Sequence, residues 1–101
     1  MNLAIISSAS EQYPPELDVV LEKILHCLDI QDVIMTGGCG GIPGRAAQLA
    51  KNHGLKTVAY SPDTDQVAHN NRHDNLHTDY FDHIHYITGF TARSLHMIHD
   101  A

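Results

Sequence analysis

Four short apolar runs, separated by stretches of helical periodicity, narrow this chain to one broad class of fold. Residues 3–6 (LAII) form a continuous apolar run, as expected of a strand covered on both faces. Residues 33–35 (VIM) form a second run, and 55–60 (LKTVAY), rich in Val and Thr, a third. Residues 83–88 (HIHYIT) form the fourth. Between the first two, Pro14 and Pro15 open a helix, since proline is tolerated in a first turn. Leu17, Val20, Leu21, Ile24, Leu25 and Leu28 then recur at spacings of three and four, which places them on one core-facing stripe. A second helix starts near Pro43, runs through Arg45, Ala46, Ala47, Leu49 and Ala50, and stops at His53-Gly54. A last helix over 91–101 carries Leu95 and Ile98 on one side. The stretch 61–80 is polar and lacks sustained periodicity, and connections of that length usually carry function or are disordered.

This alternation predicts an α/β fold: a Rossmann-like, doubly wound parallel sheet with right-handed crossovers. The economical strand order is 3-2-1-4, with a crevice where the order reverses beside the first strand. In a longer fold a fifth strand would follow the last helix and cover the fourth. Strand 84–87 is therefore expected at the sheet edge. With the exposed face of the last helix, that edge favours pairing with a second copy, so a homodimer through helices 2 and 4 is expected.

At 101 residues the chain holds one domain, 1–101. A hydrophobic share of 43% beside 18% charged residues excludes collagen-like, mucin-like and disordered classes. No apolar run approaches the roughly 20 residues of a membrane span, and the first residues lack a secretory pattern. A cytoplasmic protein with two reduced thiols, Cys27 and Cys39, is expected, with no membrane partner. Six Lys and Arg against a net charge of −6 argue against a nucleic-acid partner.

The sharpest chemical signal is Thr36-Gly37-Gly38-Cys39-Gly40-Gly41-Ile42-Pro43-Gly44, between a strand and a helix. Glycines admit close backbone approach, consecutive N–H groups cradle anions, and the following helix start favours phosphate. No Gly-Lys-Ser/Thr follows, so this is not a Walker loop. It follows the second strand, so it is not a standard dinucleotide fingerprint either. Cys39 fits the turn as a small residue or, near a helix start, acts as a reactive thiol. Tyr60 either stacks on a base or caps its strand. Asp63 and Asp65 follow the third strand, where an acidic residue bonds ribose hydroxyls or sits in a solvated turn. Arg72, His73, Asp74 and Asn75 line the crevice or hydrogen-bond their own loop.

The nine histidines are the compositional outlier. His69, His73 and His77 are spaced by four, but the neighbouring Asn and Asp residues oppose a long helix there. His83 and His85 would share one face of a strand, but no HExxH motif or Cys-His pairing is present, so no metal site is expected.

The segment TGGCGGIPGRAAQLAKNHGLKTVAYSP resembles the glycine-rich loop, helix and strand of the LOG-like, or SLOG, Rossmann superfamily. That superfamily includes proteins once described as lysine decarboxylases, nucleotide phosphoribohydrolases and molybdenum-cofactor carriers. The resemblance implies a nucleotide-contacting turn at Ser7 and Ser8, phosphate binding through 36–44, and a site arginine at Arg93 within GFTARSLHMIHDA. HNNRHDN looks like a subfamily signature. Family members continue into a PGGxGTxxE motif whose glutamate is proposed for glycosidic cleavage, and this chain carries no counterpart. The general acid/base pair is therefore incomplete, and the chain as given is expected to be the inactive N-terminal part of a longer fold. The function expected is binding of a nucleotide or other phosphate-containing small molecule, with no required cofactor. The alternatives are a fragment of a nucleoside-5'-monophosphate phosphoribohydrolase and a ligand-free interaction domain.

Overall fold

Parallel neighbours must be joined by crossovers, and the chain has the helices to make them. The computed structural model describes residues 1–6, 13–38, 41–72, 76 and 78–101. Strands β1 (Asn2–Ala4), β2 (Val33–Thr36), β3 (Lys56–Ser61) and β4 (His83–Tyr86) form one parallel sheet in the order β1-β2-β3-β4. Ala4 sits beside Met35, Met35 beside Val58, and Val58 beside His83. Helices α1 (Glu16–His26) and α2 (Gly41–Asn52) form the first two crossovers. The third holds the seven-residue α3 (Gln66–Arg72) and a 3-10 turn, Thr78–Tyr80, and α4 (Phe90–Asp100) follows β4. The sequence predicts a polar loop without periodicity where α3 lies. It is a helix of under two turns, capped by Asp65, whose Oδ1 accepts the Ala68 N–H at 2.8 Å.

The parallel α/β character is as the sequence predicts, but the strand order 3-2-1-4 is corrected to 1-2-3-4: β4 lies beside β3, not beside β1. The physical reason is a clamp at the amino end of β3. Asp82 donates its N–H to the Thr57 carbonyl at 2.9 Å. Its carboxylate accepts the Thr57 N–H at 2.9 Å and Lys51 Nζ at 2.7 Å, while Thr57 Oγ1 donates to the Tyr80 carbonyl at 2.6 Å. The chain therefore enters β4 already tied to β3. Lys51 and Thr57 hold Asp82's carboxyl below the usual carboxylate range.

Alternation along the strands separates two cores. On one face Leu21, Leu25, Ile34, Ala46, Leu49, Ala50 and Leu55 pack together, and Ala47, Ala59 and Phe81 continue that layer. The alanines of α2 are fully buried, so its backbone lies close to the sheet. On the other face Met35, Val58, Tyr60 and Met97 form a smaller cluster under α4. Since α1, α2 and the third crossover share one face, the chain changes face only after β4. Helix α4 then runs back toward β1, where Asn2 Nδ2 donates to the Asp100 carbonyl at 2.7 Å.

Two burial expectations change with this order. Strand β1 is at an edge, with Leu3 and Ala4 half-buried and Ile6 exposed, so it is not covered on both faces. On α1 the stripe centres on Leu17, Leu21, Leu25 and Leu28, leaving Val20 and Ile24 on its solvent flank. Strand β4 is at the other edge, as expected. On α4 Met97 faces the sheet, while Phe90, Leu95 and Ile98 are exposed.

Candidate functional site

Parallel strands put all their carboxyl ends on one side of the sheet, where loops collect. Strand β2 ends at Thr36, which is fully buried, and its Oγ1 accepts the Gly38 N–H at 3.2 Å. Gly38 has φ +84°, a left-handed conformation that side chains rarely adopt, and a Cβ there would lie 2.7 Å from Leu76 Cδ1. Gly37 lies under the Arg93 guanidinium: a Cβ there would lie 2.5 Å from Arg93 Nη1, so a side chain would displace the end of Arg93. That nitrogen donates to the Tyr60 carbonyl at 2.9 Å and the Gly37 carbonyl at 3.3 Å. Arg93 thus ties the end of β2 to the end of β3 from α4, and its guanidinium also lies 5.5 Å from the Phe90 ring centroid.

Helix α2 opens beside this loop at Gly41, whose φ is +70°, followed by half-buried Ile42 and buried Pro43. A helix start presents N–H groups that lack intrahelical partners. At the end of β3, Ser61 Oγ lies 2.7 Å from His69 Nδ1 and accepts the Asp63 N–H at 3.3 Å. Ser61 and His69 are fully buried and Asp63 is 2% exposed, so the Ser–His pair braces the loop and is not an accessible nucleophile. Asp63 Oδ1 pairs with Arg72 Nη1 at 3.4 Å across to the end of α3.

The structure therefore brings together Thr36, Gly37, Gly38, Asp63 and Arg93, with Gly41, Ile42 and Pro43 beside them and Arg72 reaching Asp63. Ser7, Ser8, Cys39, Gly40, His73 and Asn75 lie outside the described residues. The arrangement sets amide dipoles and cationic side chains at this end of the sheet, with the Asp63 carboxylate buried beneath them and paired to Arg72. Asp65 serves as the cap of α3. Sequence reasoning missed Ser61 and the bracing role of His69. Nothing local signals their pairing, which depends on α3 folding back onto the end of β3.

Tyr60 is committed elsewhere. Its hydroxyl donates to Asp100 Oδ2 at 2.6 Å and its ring lies 4.8 Å from that of His85. Burial and the bond to Asp100 push the phenol's pKa well up, and the same bond, with His99, holds Asp100's down. His83 and His85 are neighbours at 4.4 Å between ring centroids on the α4 face, and burial, then His83, lowers the pKa of His85. Arg45 is bound within the chain as well, with Nε and Nη2 each 3.1 Å from the Asp18 carboxylate.

No family model matches this sequence, and no curated protein or solved structure matches it either. No helix among the described residues is long and apolar enough to cross a membrane.

Proposed function

We propose that this chain binds a nucleotide or another phosphate-containing small molecule at the carboxyl end of its sheet, through the segment 36–44, as the LOG-like superfamily that its sequence resembles does. The observation that carries the reading is a convergence. The Thr36–Gly38 turn, the opening of α2 at Gly41, the buried Asp63 and the guanidinium of Arg93 all meet at one end of the sheet. Phosphate would take the amide donors of the loop and of the α2 start. Asp63, buried at the end of β3, holds Arg72 toward the same end of the sheet. Arg93 acts as a positioning residue, because its hydrogen bonds fix the carbonyls of Gly37 and Tyr60. The proposal contains no bond-breaking step.

A ligand that binds only the folded state raises the melting temperature. AMP or ADP-ribose at ten times its Kd contributes about 1.4 kcal/mol, a rise on the order of 5–10 °C for a domain of this size. Adenosine, which lacks the phosphate, should give no comparable rise. Gly41→Val, with its secondary structure checked by circular dichroism, should lose the response. A shift with adenosine equal to that with AMP, or an unchanged shift in folded Gly41→Val, refutes phosphate binding at this loop.

A further inference from the structure

Helices α1 and α2 are cross-tied at two levels. Asp18 on α1 meets Arg45 on α2, and one turn later on α1 Glu22 meets His53, which directly follows α2. We propose that Glu22, His26 and His53 bind a divalent first-row transition cation, with Zn2+ the best match. This site lies at the far end of α2 from the glycine loop and does not depend on phosphate binding there.

Glu22 and His26 are four residues apart on one helix, so their side chains rise from the same face. His53 Nε2 lies 2.6 Å from Glu22 Oε2, and His26 Nε2 lies 3.8 Å from that same oxygen. The two imidazoles meet edge to face with centroids 4.8 Å apart and planes at 89°. One ligand atom from each of the three residues lies within 4.8 Å of the others. In a tetrahedral zinc site with bonds of about 2.1 Å, ligand atoms stand about 3.4 Å apart. The close Glu22–His53 pair would open by roughly 0.8 Å, and no pair would close by more than roughly 1.4 Å, to meet that spacing. His26 is 70% exposed at its side chain and so has room to rotate, whereas His53, at 23%, is the more fixed ligand.

Two imidazole nitrogens and one carboxylate oxygen form a donor set that suits Zn2+, Co2+, Ni2+ or Cu2+, and discriminates against Mg2+ and Ca2+, which prefer all-oxygen shells. The carboxylate offsets part of the cation's charge. A fourth position remains for water. The Asp18–Arg45 pair ties the same two helices one turn away on α1. A bound cation would join the end of α1 to the end of α2 and stabilise the layer that covers the larger core.

The experiment is calorimetric titration of tag-free protein with Zn2+, with Mg2+ as a parallel arm. The expected result is one Zn2+ per chain, no comparable Mg2+ binding, and affinity lowered at least about 10-fold in Glu22→Gln and in His53→Ala, since even outer-shell changes cost that much. His96→Ala on α4 serves as a control and should bind as the parent does. Carbethoxylation of the unsubstituted protein, read by mass spectrometry, removes any dependence on variant folding. Zn2+ should protect His26 and His53 while His96 and His99 stay reactive. Unchanged affinity in Glu22→Gln and His53→Ala overturns the site, as does protection confined to other histidines.

Discussion

The two ends of the sheet are built by different means. At the carboxyl end the backbone does most of the shaping: Gly38 and Gly41 hold left-handed conformations, Gly37 admits Arg93, and the polar groups are buried. At the amino end charged side chains do it. Lys51, Asp82 and Thr57 clamp β4 to β3, Met1's ammonium meets Asp32 at 2.6 Å, and Glu22 meets His53. One end is shaped by glycine backbone and buried polar groups. The other is fastened by groups that largely remain in contact with water. The difference shows that a parallel sheet can shape one set of loops through its backbone and fix strand order through side chains at the opposite set.

The comparison breaks most sharply at two glycines that share a conformation but not an environment. Gly38 (φ +84°) and Gly54 (φ +76°) both strain any side chain, yet a Cβ at Gly54 meets nothing within 4 Å. Gly54→Ala should therefore cost about 1 kcal/mol, the conformational term alone. Gly38→Ala should cost about 2–4 kcal/mol, because buried Leu76 must also move. Urea denaturation reads both. Equal costs would mean that Leu76 yields freely and that the carboxyl end is less tightly shaped than its geometry implies.

At the amino end, Asp82→Asn should cost about 1–2 kcal/mol by weakening the bond to the Thr57 N–H and losing that to Lys51. Lys51→Met should cost under about 0.5 kcal/mol, because an ion pair with both side chains more than a third exposed is screened by water. If the two variants prove equally costly, the ion pair and not the bond from the Thr57 N–H holds β4 beside β3.

The smallest effect belongs to neither end but to the α4 face. Burial, then His83, lowers the pKa of His85 in the folded state, so the unfolded chain takes up this proton at higher pH. Stability from the neutral form is fully present above the unfolded value of about 6.5 and declines as pH falls below it toward the folded value. His85→Gln should flatten the dependence of melting temperature on pH in that interval. A slope identical to the parent's would assign the whole effect to other histidines.

The sequence by itself determined the four strands, the three longer helices, the parallel pairing and the place of the glycine loop, but not the short α3. Each of these follows from near-neighbour spacing: the apolar run 33–35, the alanine-rich turn 46–50, and the five glycines between 37 and 44. Local spacing is what backbone geometry reads directly. The tertiary structure alone decided that β4 lies beside β3, because the clamp joins Asp82 to residues 25 and 31 positions earlier. It alone decided that Val20 and Ile24 flank the buried stripe of α1 and do not fill it. It also placed Arg93 against Gly37, 56 residues away, and gathered Glu22 and His26 of α1 with His53 just past α2. Those outcomes depend on how whole elements dock, and docking is set by the summed fit of many side chains, which no short window of sequence contains.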